Sequence, residues 1–473
     1  MATPYIRFYG GTRGIGGNQI LVVASNGKGV LLDFGLDFGI TKQYFDDFLK
    51  IRDKQALVDA TSVGLIPWPS GDLKGLYRED LENFNLEFIE EAYRAYQAKT
   101  GDTESLKIKD TTIITEVLVS HAHIDHIGFI KYLHPSIRVI SSNISKKIME
   151  HMDELGGGSS SFKDIIDYTP IGLMKDEENI KPGESTRLSS QSNEYKAKKK
   201  TRDIVGVDFE TAVNLAEGGL KVTLYETDHS IPGSCGFLIE DVETGKRLVY
   251  TGDIRFHGPN GGKSRAFVKK VADIKPDVLI TEGTRLTTDP TPDGEDIRID
   301  GRENELSDES AVLRHINGFI QKVKTTDPNK LILFNCSPRD LWRVGTFYQA
   351  AEKNGLTLVI DAKIFGLIQA LDPTGTLFGV DMTKVKVYLP RKDWGLYEYD
   401  DYDKSPAIKK VFQVAEAERN AIIAHLNAEK EAEFEREQAQ KNAEYEAKIK
   451  QWDANGRPVP KPRKPSKSTF TPL

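Results

Sequence analysis

The stretch SHAHIDHIG, residues 120–128, carries the strongest chemical signal in the chain. The apolar run Thr112–Val119 precedes it and predicts a buried strand that feeds a loop. Two histidines one residue apart can face one metal ion, while an acid and a histidine further along can turn to a second. These residues are His121, His123, Asp125 and His126. Because imidazole and carboxylate groups suit zinc, the loop predicts a metal site.

Two further candidate ligands follow predicted strands later in the chain. His229 lies in TDHSIPGSCGF, just past Leu220–Glu226, and Asp253 lies in YTGDIRFHG, just past Arg247–Thr251. Taken alone, either could be an ordinary turn residue. Together with the histidine cluster, both are predicted to complete a two-metal site.

The strand and helix pattern predicts an α/β fold in which two sheets are covered by outer helices, an αββα sandwich. The predicted strands have short apolar runs with turn residues between them. They are Ile6–Tyr9, Gln19–Ala24, Gly29–Phe34, Thr112–Val119, Ile137–Ile140, Leu220–Glu226, Cys235–Asp241, Arg247–Thr251 and Val278–Ile280. The predicted helices of this part are Thr41–Arg52, Leu81–Lys99 and Ile127–Leu133.

Changes in composition predict four regions. Residues 1–286 form the sandwich domain, with an insertion at about 156–202 that contains KAKKKTR, a basic loop that is either solvated or in contact with phosphates. Residues 287–403 form a second α/β domain, 404–456 a long charged helix, and 457–473 a Pro/Lys-rich extended tail. The elements predicted in the second domain are helix Glu309–Val323, strand Lys330–Phe334, helix Leu341–Asn354, strand Leu358–Asp361 and helix Lys363–Ala370.

Bulk composition excludes several classes of protein. The 473 residues are 38% hydrophobic and 29% charged, which is typical of a globular protein and not of a disordered or membrane chain. The two cysteines, Cys235 and Cys336, have no paired spacing, which disfavours a disulfide framework or a cysteine-ligated zinc. The N-terminus has no signal peptide, so the expected location is the cytoplasm. A net charge of −7 disfavours indiscriminate nucleic-acid binding but leaves a local basic groove open.

Several motifs together resemble a known superfamily. HAHIDHIG resembles the HxHxDH signature of the metallo-β-lactamase superfamily, and LLDFGLDFG, with Asp33, resembles its first motif. HSIPGS and YTGD, whose His229 and Asp253 are 24 positions apart, resemble the β-CASP branch and its ribonuclease J-type RNA-processing enzymes (253 − 229 = 24). TEGT, with Glu282, lies where that branch has an acidic motif, and FNCSPRDLWRVGTFYQAAEKNGLTLVID is similar to the start of a β-CASP domain inserted into the lactamase fold.

The resemblance implies a role for each residue. His121, His123 and His229 would hold one zinc, Asp125 and His126 the other, and Asp253 would bridge them. Asp125, Asp253 and Glu282 would take part in catalysis, and Asp33 would orient a metal ligand from behind. The candidates for substrate contact are Ser230 and His257, with a structural role as the alternative for His257. Two zinc ions so placed would polarise a phosphodiester and lower the pKa of a bridging water, which favours in-line attack by hydroxide.

The chain also departs from the β-CASP pattern. Members of that branch return to the lactamase core after the inserted domain and bring two further histidine motifs. Here the only histidine after His315 is His425, in the charged helix. The expectation is therefore a chain that stops before the fold closes, with a second zinc site that has three candidate ligands and an open position.

Three functions remain in competition. The leading hypothesis is a zinc-dependent phosphodiester hydrolase that acts as a ribonuclease on RNA, with DNA as the alternative substrate. A homodimer or a complex with a partner chain is expected, and no association with a membrane. The second is a small-molecule hydrolase that acts on an ester, thioester or lactam with the same metals. The third is a non-catalytic β-CASP-like subunit that binds RNA or a partner through the long helix.

Overall fold

A computed structural model describes most of the chain. The described residues are 2–45, 49–52, 55–81, 86–155, 164–170, 193–284, 308–328, 330–388, 391–392, 395–396, 406–457 and 462–464. The boundary predicted between residues 286 and 287 and most of the predicted tail lie outside these residues, as does most of the predicted insertion 156–202. The chain divides into two compact units, Met1–Leu358 with Lys363–Val385, and Val359–Ala362 with Lys386–Leu473.

The first sheet has six strands in the order β1-β2-β3-β4-β5-β8. Its strands are β1 (Tyr5–Gly10), β2 (Gln19–Val23), β3 (Gly29–Leu32), β4 (Ile114–Leu118), β5 (Arg138–Ser142) and β8 (Ile204–Val207). β1 to β3 form the predicted antiparallel meander, and β3, β4, β5 and β8 run parallel to one another. Between β5 and β8, the short β6 (Asp167–Tyr168) and β7 (Lys200–Thr201) pair with each other.

The second sheet has five strands in the order β13-β12-β11-β10-β9. These are β9 (Ala212–Leu215), β10 (Leu220–Glu226), β11 (Cys235–Asp241), β12 (Arg247–Tyr250) and β13 (Val278–Ile280). All pairs are antiparallel except β12 with β13, which is parallel.

Alternate side chains of the two sheets build the core between them. Val22 and Leu32 of the first sheet and Phe237 and Ile239 of the second belong to one buried cluster. Because successive strand residues point to opposite faces, their neighbours need cover on the outside.

Helices supply that cover. Helix α7 (Gly261–Ile274) packs Phe267 against Tyr225 and Val249 on the outer face of the second sheet. Helix α5 (Asn143–Leu155) packs on β5 and β8. The remaining helices of this part are α1 (Phe38–Tyr44), α2 (Ala56–Ser62), α3 (Leu86–Thr100), α4 (Ile124–Ile127) and α6 (Asn193–Ala197). The predicted αββα sandwich is confirmed.

After residue 307, helices α8 (Glu309–Thr326), α9 (Leu341–Lys353) and α10 (Ala362–Leu371) agree with prediction. The strand predicted at Lys330–Phe334 is wrong: the segment is irregular, and Leu331 and Leu333 are 84% and 82% exposed. Its apolar run, Leu331 to Phe334, is locally strand-like, but a strand needs a partner for its backbone groups, and none pairs with it among the described residues.

The second unit holds short strand pairs and one long helix. β14 (Val359–Ile360) pairs with β15 (Lys386–Val387) in parallel, and β16 (Arg391–Lys392) pairs with β17 (Gly395–Leu396). Helix α11 (Pro406–Ala454) confirms the predicted helical C-terminal region. Within the described part of the chain, no helix is both long enough and apolar enough to cross a bilayer.

The basic segment KAKKKTR differs from a uniformly solvated loop. Arg202 is buried, and its guanidinium donates to the carbonyl groups of Ile165, Leu133 and His134. Burial lowers the pKa of Arg202 to about 10. This arginine therefore fastens the chain after the insertion to the sandwich and is not exposed to a phosphate.

Candidate metal centre

The histidine loop is held by backbone contacts from the glycine-containing segments before it. The amide groups of Gly17, Phe34 and Leu36 donate to the carbonyl groups of Asp125, His126 and Ile124, at 3.2, 2.8 and 3.2 Å. Gly35 lies so close that a β-carbon there would overlap the Asp125 carbonyl. The helix predicted at Ile127–Leu133 is instead the single turn α4 followed by a 3-10 turn, Ile130–Tyr132. The glycines thus let two chain segments approach the loop and fix its shape.

Three histidines converge on one point. The Nε2 of His121 lies 3.0 Å from the Nδ1 of His123, which lies 3.2 Å from the Nε2 of His229. Nitrogen ligands about 2.0–2.1 Å from a tetrahedral zinc would be roughly 3.4 Å apart. The spacing therefore fits three imidazoles around one ion.

A second group shares His121 and adds His126 and Asp253, with ligand atoms within 4.8 Å of one another. Asp253 Oδ1 lies 3.4 Å from His126 Nε2, and its Oδ2 lies 3.7 Å from His229 Nε2. Asp125 Oδ2 lies 3.6 Å from His126 Nε2. Asp253 thus stands between the two groups, where a bridging carboxylate would be. The division of these ligands between two metals stays a prediction.

The pKa shifts of His121, His123 and Asp253 suit metal ligands. Burial, followed by the charges of neighbouring histidines, holds the pKa of His121 well below its usual range. The same causes lower the pKa of His123 to about 2. Burial alone would raise the pKa of Asp253, but the hydrogen bond and charge of His126 lower it. Since a metal binds neutral imidazole and ionised carboxylate, the donor set fits a divalent cation of the zinc type.

Asp33 lies beneath this cluster and is completely buried. Its carboxylate accepts hydrogen bonds from the Ser120 amide and hydroxyl, both at 2.8 Å, and from the Tyr250 hydroxyl at 2.7 Å. Burial and the nearby Asp33 raise the pKa of Tyr250, which keeps this hydroxyl protonated.

The fourth contact of Asp33 is its Oδ2, 2.8 Å from His126 Nδ1. Burial alone would lower the pKa of His126, but Asp33 and Asp253 raise it well above the usual range. The metal-free imidazole is therefore protonated at both nitrogens, and a metal at Nε2 would displace the proton there while Nδ1 keeps its hydrogen bond to Asp33. Asp33 therefore contacts His126 through Nδ1, and its role in orienting a metal ligand, which the resemblance implied, stays a prediction.

Glu282 has no place in either donor group. Its Oε1 accepts from the amide of Ile254, the residue after Asp253, at 2.8 Å, and its Oε2 bonds to Thr284. The contact positions the loop that carries Asp253, and the catalytic role proposed for Glu282 stays a prediction.

The two candidates for substrate contact, Ser230 and His257, have different surroundings. The hydroxyl of Ser230 is 3.5 Å from His229 Nε2, at the edge of the donor groups. His257 is half-buried, and its carbonyl accepts from the amide of Glu309 at 3.3 Å. This contact involves only the backbone of His257, and a role for its side chain at the substrate stays a prediction.

Sequence reasoning missed an ion-pair network behind the site. Arg255 lies 3.2 Å from Asp228 and 3.8 Å from Asp340. Asp228 and Arg255 come one and two positions from His229 and Asp253, so the network ties together the loops that carry these two ligands. The charges were visible in the sequence, but nothing local indicated their pairing.

Arg339, in CSPRD, was also missed. Burial lowers the pKa of Arg339, while the charge of Asp125 opposes this, and the charge of Arg339 in turn lowers the pKa of His123. A guanidinium thus contributes positive charge close to the donor groups.

An open cavity of about 710 Å³ adjoins the cluster. Asp125, Asp253 and Glu282 line it, as do residues of the glycine-rich loop and of β13. A substrate in this cavity would meet Asp125 and Asp253, the two carboxylates that also face the histidines.

Comparisons with known proteins agree with this architecture. The family model "Metallo-beta-lactamase superfamily" matches residues 113–283. The crystal structure of a protein of unknown function from Enterococcus faecalis V583 is similar over 86% of this chain and 73% of that one, with 21% identity and a TM-score of 0.51. A subclass B3 metallo-β-lactamase of Bradyrhizobium japonicum is 15% identical over 59% of this chain and 75% of its own, with a TM-score of 0.28. Among curated proteins none matches the chain. The match over residues 113–283, the two-sheet architecture and the His/Asp cluster together identify a domain of the metallo-β-lactamase superfamily, whose members are generally metal-dependent hydrolases.

Proposed function

We propose that the chain is a zinc-dependent phosphodiester hydrolase that cleaves RNA. The observation that carries the proposal is the pair of donor groups that share His121, with Asp253 close to His126 and His229 and lining an open cavity. Two ions held side by side suit the in-line displacement at a phosphodiester, in which attacking and leaving oxygens both develop charge.

The residues of the site would have separate roles in the proposed reaction. When bound, zinc would supply a Lewis acid and lower the pKa of a water molecule toward neutrality. His121, His123 and His229 would hold one ion, and His126 with Asp125 the other. Asp253 would contact both, and Glu282 would keep the Asp253 loop in place through Ile254.

Charge and motif pattern favour a phosphodiester over a neutral ester. The cation of Arg339 close to the donor groups offsets the negative charge that a phosphate would bring beside Asp125 and Asp253. The motifs HSIPGS and YTGD, which resemble those of RNA-processing enzymes, carry His229 and Asp253 themselves. The cavity is also larger than a simple ester requires.

The test combines metal content with substrate choice. The protein is purified without chelators, its zinc is measured by elemental analysis, and the same preparation is incubated with 5′-labelled single-stranded RNA, bis(p-nitrophenyl) phosphate and a thioester. We expect about two zinc ions per chain, cleavage of both phosphodiesters and no thioester hydrolysis. His123→Ala should lose cleavage, whereas His425→Ala, which removes a histidine exposed on α11, should keep it.

Other outcomes would assign other functions. Thioester hydrolysis without phosphodiester cleavage would support a small-molecule hydrolase. Stoichiometric zinc without turnover of any substrate would support a non-catalytic, RNA- or partner-binding chain. Cleavage that persists in His123→Ala would show that the activity does not depend on this centre.

A further inference from the structure

A second cavity lies on the other side of edge strand β1 from the metal centre. It has a volume of about 480 Å³ and is lined by aromatic and acidic side chains that the proposed reaction does not use. Both cavities share one lining residue, Phe8. The second cavity is within the size range of small-ligand sites.

Aromatic rings dominate one side of this second cavity. The rings of Trp68 and Tyr96 are 5.9 Å apart, and Tyr93 stacks on Tyr96 at the same distance. Tyr96 is 36% exposed and Phe8 48% exposed, so both rings can meet a ligand. Exposed rings at the entrance and the wall of a cavity suit the flat face of a nucleobase.

The charges of the cavity exclude a phosphate but suit a base. Asp72, Asp102 and Glu104 line it against a single cation, Arg7, which already pairs with Asp72 at 2.8 Å. This net negative charge would repel a phosphate group. Carboxylates accept hydrogen bonds from amino groups, which adenine, cytosine and guanine carry and uracil does not.

Phe8 connects this cavity with the metal centre. β1 has a paired neighbour only on the side of β2 among the described residues, so its other edge is open. Side chains alternate along the strand, which places Arg7 and Tyr9 on one face and Phe8 on the other. A polymeric ligand that passes from the metal centre over Phe8 therefore enters the second cavity directly.

We propose that single-stranded nucleic acid runs from the metal centre across Phe8, and that the second cavity takes one of its amino-bearing bases, which stacks on Tyr96. The inference rests on the proposed function for the choice of a polymer that carries phosphodiesters. It adds a binding site and a base preference to that function.

Binding of labelled oligonucleotides tests the proposal on the full chain with its metal. Eight-nucleotide oligo(A), oligo(C) and oligo(U) with hydrolysis-resistant phosphorothioate linkages are titrated by fluorescence anisotropy. We expect oligo(A) and oligo(C) to bind about tenfold more tightly than oligo(U), since one stacked base contributes roughly that factor or more. Phe8→Ala and Phe8→Leu should both weaken oligo(A) binding about tenfold, because leucine keeps the apolar bulk and loses the ring. Tyr96→Ala should abolish the difference between oligo(A) and oligo(U).

Phe319→Ala, which removes a 53% exposed ring from α8, is the matched control and should bind as the unmodified chain does. Cleavage of bis(p-nitrophenyl) phosphate, which is too small to span both cavities, separates the two proposals. Unchanged oligonucleotide affinity in Phe8→Ala and Tyr96→Ala, with normal cleavage of the small phosphodiester by the unmodified chain, would overturn the proposed base-binding site and leave the hydrolase standing. Failure of the unmodified chain both to cleave the small phosphodiester and to bind any oligonucleotide would overturn both proposals.

Discussion

Replacing Asp33 by asparagine should loosen metal binding and destabilise the metal-free fold. Asp33 has a left-handed backbone conformation with φ 53°, which asparagine tolerates, so the substitution leaves the backbone unstrained. One oxygen can still accept from the Ser120 amide. An amino group then replaces the oxygen that accepts from Ser120, Tyr250 and His126.

The substitution changes where the His126 imidazole carries its proton. The two hydroxyl groups can turn and accept from the new amino group, but a protonated Nδ1 cannot. The imidazole would move its proton to Nε2, the atom 3.4 Å from Asp253 Oδ1 that must be free for a metal. Loss of such an orienting carboxylate costs about 10–100-fold in metal affinity. The lost charged hydrogen bond and the mismatched pair should lower the free energy of unfolding by about 2–4 kcal/mol.

Metal affinity is measured by competition with a chromophoric chelator, and stability by urea denaturation of the metal-free protein. Asp308→Asn is the matched control, because Asp308 caps α8 through its contact with the Ala311 amide and asparagine caps a helix equally well. Metal affinity within twofold of the unmodified chain, with unchanged stability, would refute the argument that Asp33 sets the tautomer of His126.

Three further expectations follow from other contacts. Gly35→Ala should reduce the zinc content by more than half, because the added methyl group overlaps the Asp125 carbonyl. Elemental analysis of the purified protein would measure the zinc content, and a full content would contradict this expectation. Asp241→Asn should destabilise the chain by about 1–3 kcal/mol at neutral pH, since the buried carboxylate accepts from the amide and hydroxyl groups of Ser25 and Thr244. Burial alone would raise the pKa of Asp241, but these hydrogen bonds lower it. The carboxylate therefore stabilises the fold above about pH 4, and this stabilisation is lost as the pH falls through the lowered pKa. Urea curves of both proteins should converge at low pH, and a constant difference would contradict the assignment. Removing metal with a chelator should lower the melting temperature by several degrees, because an ion that binds only the folded chain stabilises it. Scanning calorimetry with and without added zinc would measure the shift. Equal melting temperatures would count against a metal centre.

Local pattern was enough to locate most elements. β10 and β11 have the bounds that the sequence predicted, because one face of each strand is buried in the core and the strands end at turn residues. The same reasoning failed at Lys330–Phe334, where an apolar run is present but no strand pairs with it among the described residues. Helices α5 and α7 are absent from the sequence-based prediction, although Gly156 directly follows α5 and Pro276 lies just past the end of α7.

The candidate site divides in the same way. The sequence pattern located each candidate donor and its loop, because the candidates follow strands and glycines mark where the chain must approach the loop closely. Three contacts depend on tertiary packing: Asp33 with His126, Asp253 with His126 and His229, and Arg255 with Asp228 and Asp340. These pairs are far apart in the chain, except for Arg255 and Asp228, and a side chain's partner depends on how the two sheets pack, which no local pattern encodes.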